Sequence, residues 1–263
     1  MLSKLLKYDF KSIFKFISIF YILAIFFSIL TRMFLSVDNS FVVNVLGEIC
    51  KGAAISMMVS ILINSLMRLW VRFKSNFYGD ESYLTHTLPV SKNSLYLSKT
   101  LTSIFILFLS VLVIGISLFI MFYSKETIEW IKNILLPLVD AYNSTILKVI
   151  LAFLFIFFLE FLNGVQAGFS GIILGNKMNN MKTGFSVLFG FGAYMITQIF
   201  GLLMIFIVSL FNKDLLNLFI TNEMINMNMI KVVICLSIGI YTVSYIVWYF
   251  INLKLFKNGV NVD

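Results

Sequence analysis

LTSIFILFLSVLVIGISLFIMFY, residues 101–123, carries no charged side chain along its whole length. A helix needs about 20 mainly apolar residues to cross the hydrocarbon of a bilayer, and this stretch supplies them without interruption. Five other stretches read the same way, at residues 13–35, 42–67, 146–175, 184–211 and 232–253. The 263-residue chain is 60% hydrophobic and 12% charged, with a mean hydropathy of +0.98. Soluble domains carry about 25% charged residues, so the natural solvent of this chain is lipid. The expected fold is all-α, a polytopic membrane protein with six transmembrane helices in a single domain, 1–263.

Six spans place both termini on one side, and the distribution of basic residues chooses that side. With the termini in the cytoplasm, the inner segments hold 13 of the 20 basic residues and four acids, Asp9, Asp80, Glu81 and Asp263. The outer segments hold seven of each sign. The net charge of +8 is therefore read as an inner membrane flank, with lipid as the partner and no role for nucleic acid. Glu48 and Lys51, near the start of the second span, are spaced to pair on one helix face. Cys50 and Cys235 stand far apart in apolar surroundings, read as packing residues, and give neither a disulfide framework nor metal-ligand spacing.

At the N-terminus, Lys4, Lys7, Lys11 and Lys15 fall on one arc of a helix, with Leu2, Leu5, Leu6, Phe10 and Ile13 opposite. Two readings follow: an amphipathic helix lying in the membrane interface, which is expected, or a basic flank of the first span. Two connections are long, 68–100 inside and 124–145 outside. A third, 212–229, contains the apolar run LLNLFI and is expected to dip toward the membrane.

The chain holds no G-x-x-x-x-G-K-[ST] phosphate loop and no HExxH or Cys/His cluster, so neither enzyme chemistry nor a bound metal or cofactor is expected. GFSG, residues 168–171, resembles the nucleophile motif of rhomboid proteases. The only histidine, His86, lies in a loop, and a serine without a base is not an activated nucleophile. The same glycines belong to another pattern. Gly164, Gly168, Gly171 and Gly175 share a narrow arc of the fourth span, where small residues allow close helix approach in lipid. That face should pack on another helix, in this chain or in a second subunit. Glu160, the only acid deep in a span, lies beside it, with Asn163 one turn away as a hydrogen-bond donor. Acids at that depth face cavities or partners. Glu160 reads either as part of a transport path or proton site, or as a neutral acid bonded between helices.

The remaining polar passage is FYGDESYLTHTLPVSKNSLYLSK, residues 77–99. Asp80 and Glu81 suit a helix start, while Tyr83, Leu84, Thr87 and Leu88 can line one side of a short helix. Pro89 forces residue 88 out of helical geometry, and Ser91 can cap the next helix. A short helix under the membrane with polar, aromatic and leucine side chains outward reads as a docking surface. The plainer reading is a solvated loop helix.

Residues 72–92, RFKSNFYGDESYLTHTLPVSK, followed by the L-x-L-S-K of residues 95–99, resemble the cytoplasmic loop of ABC-2 type transporter permeases of low-GC Gram-positive bacteria. That loop often reads D-E-G-Y-L-T-x-T-L-P-V-S; here Ser82 stands at the glycine. The resemblance implies a permease subunit in a bacterial plasma membrane, paired with a second permease, identical or not. A separate ATP-binding subunit would carry ATP and Mg. Residues 68–100 would hold a coupling helix, with Tyr83, Leu84, Thr85, His86, Thr87 and Leu88 in contact with the ATPase. Asp80 and Glu81 would orient the helix or pair with basic residues of the ATPase, and Pro89 would fix the angle to the third span. The expected function is an exporter of a hydrophobic or amphipathic cargo: a peptide, an antibiotic or a lipid. The alternatives are a proton- or ion-coupled carrier using Glu160 and a non-transporting scaffold or immunity protein.

Overall fold

The computed structural model describes residues 2–37, 41–143, 145–212, 215–216 and 227–258, and among these the regular structure is entirely helical. In chain order the helices are α1 (Leu2–Leu35), α2 (Phe41–Tyr78), α3 (Ser82–Thr87), α4 (Lys92–Phe122), α5 (Lys125–Tyr142), α6 (Ile146–Gly175), α7 (Lys182–Ser209) and α8 (Met227–Lys257). Six of them, all but α3 and α5, are long and apolar enough to cross a membrane. Within their apolar windows only 11–28% of residues are buried inside the chain. The outward side chains, such as Ile19, Ile22 and Phe26 on α1, need lipid as their solvent. Each of the six expected spans lies within one of these helices, apart from a residue or two at the end of the third and fifth.

Two helix boundaries, one connection and one cysteine differ from the sequence reading. α1 is unbroken from Leu2 to Leu35, so the N-terminal lysines sit on the first turns of the spanning helix and not on a separate interfacial helix. Nothing in residues 2–35 interrupts a helix, since neither proline nor glycine occurs there. α2 continues eleven residues past the expected end at residue 67, because Leu69, Phe73 and Phe77 prolong its buried face. It stops only at Gly79. The outer segment expected as a loop contains α5. The apolar run of 212–229 lies mostly outside the described residues. Cys235 is exposed and is not a packing residue.

The helices form two compact units, Met1–Ile128 and Glu129–Asn261. In the first, α1 packs against α2 and α4, and α3 rests on α2. Its seam is partly polar. Tyr21 Oη lies 2.8 Å from Ser110 Oγ, which lies 2.9 Å from Ser65 Oγ, so one hydrogen-bonded chain ties α1, α2 and α4 together. Such bonds replace the missing hydrophobic drive between helices in lipid. Arg32, at the end of α1, donates to the carbonyl of Tyr123 just beyond α4. The Glu48–Lys51 pair forms on α2 at 3.3 Å.

In the second unit α6 packs against α7 and α8. The glycine face of α6 meets α7: a Cβ built on Gly171 would stand 2.6 Å from the backbone of Gly190, and one on Gly175 would strike Ser186. Gly168 lies in the same contact, against Gly190. Gly164 has nothing within 4 Å of a built Cβ and takes no part. On the opposite seam, Asn252 of α8 donates to the Gln166 carbonyl at 2.9 Å and accepts from Ser170 at 2.6 Å. Trp248 donates to Thr197 of α7 at 2.8 Å.

Candidate functional site

The polar passage between α2 and α4 folds as a short platform. α2 ends at Tyr78, and Gly79 donates to the Lys74 carbonyl at 3.1 Å while sitting close on Ser75. Ser82 N–H returns to the Gly79 carbonyl at 2.9 Å and starts α3. Leu88 is extended (φ −63°, ψ 137°), the conformation its following proline imposes. Ser91 then caps α4, its hydroxyl accepting from Ser94 N–H at 3.3 Å.

Around α3 the side chains divide into two sets. Tyr83 (65% exposed), Leu84 (74%), Thr87 and Leu88 (43%) point outward, with Pro89 and Asp80 also exposed. Thr85 and His86 are half-buried. Thr85 Oγ1 donates to the Glu81 carbonyl at 3.0 Å, and His86 Nε2 lies 3.3 Å from the Phe77 carbonyl. The His86 ring also faces that of Phe77. These two residues hold α3 down; the outward four form its exposed face.

Glu81 is paired within the chain, although its side chain is 45% exposed. Both its carboxylate oxygens accept from Arg72 Nη1 at 2.9 Å, and Asn76 donates to it as well. Arg72 reaches Asp9 of α1 with Nε at 3.3 Å. Asp9 accepts from Lys99 Nζ of α4 at 2.6 Å and from Ser98 Oγ at 3.1 Å. Lys99 also donates to Asn76. Asp9 is 4% exposed and Lys99 8%. Two acids and two bases thus close a neutral network that links the turn before α3 to α1, α2 and α4. Charges taken out of water persist only when paired and hydrogen-bonded in this way.

Asp9, Arg72, Asn76, Ser98 and Lys99 were not singled out as site residues from sequence. Asp9 left a signal: it lies on the apolar arc of the N-terminal helix, opposite the lysines, where an acid needs a partner.

In the second unit Glu160 sits near the middle of α6, about 20 Å from either end at 1.5 Å per residue. Its Oε1 accepts from Tyr194 Oη at 2.6 Å and from Gln198 Nε2 at 2.8 Å, both on α7. Asn163 is not its donor: the Asn163 amide donates to the carbonyls of Leu159 at 2.9 Å and Tyr241 at 3.0 Å. It ties α6 to α8 instead. Glu160 Oε2 and Asn163 Oδ1 are buried without a hydrogen-bond partner.

No group of histidine, cysteine or carboxylate side chains among the described residues is arranged to hold a metal ion. The chain matches no family model, no curated protein and no solved structure.

Proposed function

We propose that this chain is the permease subunit of an ABC-2 type exporter in a bacterial plasma membrane, moving a hydrophobic or amphipathic cargo. A separate ATP-binding subunit docks on α3, and a second permease completes the path. In this reading α3 and both termini face the cytoplasm. One observation carries the proposal: the face of Tyr83, Leu84, Thr87 and Leu88 is held outward by an ionic network, buried at Asp9 and Lys99, that joins three spanning helices. A solvated connector has no need of such a mount.

The mechanism follows from the mount. A push on α3 by a closing ATPase dimer reaches Glu81, passes through Arg72 to α2, and through Asp9 and Lys99 to α1 and α4. The three helices move together because the network is closed and neutral. Hydrolysis belongs to the partner, which supplies the phosphate-binding loop this sequence lacks.

The test is co-purification with the ATP-binding subunit from native membranes in mild detergent. Leu84→Asp with Leu88→Asp is expected to abolish the association while membrane insertion is unchanged. Normal association of that variant removes α3 as the docking element and leaves the scaffold reading in its place.

Glu160 supports a second reading, since a carboxyl group near the middle of a spanning helix, bonded to Tyr194 and Gln198, suits a proton-linked carrier. That reading predicts transport that follows a pH gradient, stops in Glu160→Gln and needs no ATPase.

A further inference from the structure

α5 has three sides. Ile128, Ile131, Leu135 and Leu138 recur at helical spacing and are half-buried or buried. Glu129, Lys132, Asn133 and Asp140 form an exposed, mainly polar face, with Leu136 (43% exposed) among them. Between these lies a third row, Trp130, Ile134 and Pro137, at i, i+4 and i+7. It is apolar and uncovered, with Trp130 65% and Ile134 50% exposed. Water suits the second side but not the third.

The chain path fixes the height of the helix. Two residues separate α5 from α4 and three separate it from α6, and both neighbours are spanning helices. α5 therefore starts and ends at the membrane surface, at the opposite end of α4 from α3. The last turns of α4 and the first turns of α6 expose the apolar side chains Phe119, Phe122, Leu147 and Leu151. By chain path alone, the bare row on α5 stands at the level where these helices end. Tryptophan is enriched at this depth, where its ring is apolar and its N–H meets polar groups. A helix with one apolar and one charged side, held at this height, is an interfacial helix.

We infer that α5 lies in the headgroup–acyl boundary of the leaflet opposite α3, with Trp130, Ile134 and Pro137 in contact with lipid. The charged face of α5 remains in water. This inference needs only the six spans and does not depend on an ATP-binding partner.

Trp130 reports on itself once Trp70 and Trp248, the other two tryptophans, become phenylalanine. The Trp70→Phe, Trp248→Phe chain is reconstituted in vesicles of phosphatidylcholine and phosphatidylglycerol. Lipid brominated near the headgroup end of its acyl chains is expected to remove most of the emission. Lipid brominated at the chain ends and aqueous iodide are expected to remove little. Loss of emission to iodide, with bromolipids inert, overturns the inference in favour of water. Strongest loss to the chain-end bromolipid overturns it in favour of deep insertion. Emission untouched by all three overturns it in favour of a protein cover, such as a second copy of the chain. If that chain does not fold, a spin label on Trp130→Cys, in a chain with Cys50→Ser and Cys235→Ser, gives the same decision. Collisions with oxygen should exceed those with a water-soluble nickel chelate, and the reverse order overturns the inference.

Discussion

Removing Asp9 should harm the protein more than removing its partner Lys99, and the asymmetry follows from the remaining contacts. Lys99 has two acceptors in the network, Asp9 and the Asn76 side-chain carbonyl. In Asp9→Ala the ammonium keeps only the neutral one, in a site where Lys99 is 8% exposed. Stranding a buried charge costs about 3–5 kcal/mol. In Lys99→Met, Asp9 still has Arg72 Nε at 3.3 Å and Ser98 Oγ at 3.1 Å. The loss is then one charge-assisted hydrogen bond, about 1.5–3 kcal/mol. Asp9→Ala combined with Lys99→Met removes both charges, while Arg72 keeps Glu81. The double variant should therefore cost less than Asp9→Ala alone, a coupling that a double-mutant cycle measures directly. The assay is reversible unfolding of the purified chain in mixed dodecyl maltoside and dodecyl sulfate micelles, followed by far-ultraviolet circular dichroism. Equal losses in Asp9→Ala and Lys99→Met, or simple addition in the double variant, would refute the network as described.

Two further predictions concern the second unit and use the same unfolding assay. Gly171→Val should cost about 1–3 kcal/mol or more, because its new side chain meets the backbone of Gly190 and neither helix can yield by a rotamer change. Gly164→Ala, with open space at that position, should stay within about 0.5 kcal/mol of the unaltered chain; similar losses at both sites would contradict the α6–α7 contact. Glu160→Ala strands the Tyr194 hydroxyl and the Gln198 amide and should cost about 1–3 kcal/mol for each orphaned donor. Glu160→Gln keeps a carbonyl acceptor and should cost clearly less, and equal losses would remove Oε1 as the shared acceptor.

The spanning helices are legible in the sequence because lipid demands apolar side chains on nearly every face, a requirement that needs no knowledge of partners. Helix ends are less legible. Charge at Arg68 reads as the close of a span, yet Leu69, Phe73 and Phe77 carry the buried stripe of α2 on past it. α5 mixes Lys132 and Glu129 with Ile131 and Trp130, and its polar content conceals its period. The Asp9 network joins residues 63 and 90 positions apart, a pairing that no local spacing announces. The outward face of α3 was readable, since Tyr83, Leu84, Thr87 and Leu88 follow the helical repeat and Pro89 marks the stop. The contacts of His86 and Glu81 depend on where Phe77, Arg72 and Asn76 stand, which only the folded chain decides. The glycine face of α6 was visible as a packing surface, while its partner, Ser186 and Gly190 of α7, required the structure.

The central claim is that α3 is the seat of an ATP-binding subunit. Its most direct test is photo-crosslinking in living cells from a benzoylphenylalanine placed at Leu84, with the same probe at the outward-facing Ile22 of α1 as the control. The account predicts one dominant adduct from position 84 whose partner contains a G-x-x-x-x-G-K-[ST] loop, and none of it from position 22. Position 84 yielding no adduct, or only partners without that loop, would contradict it.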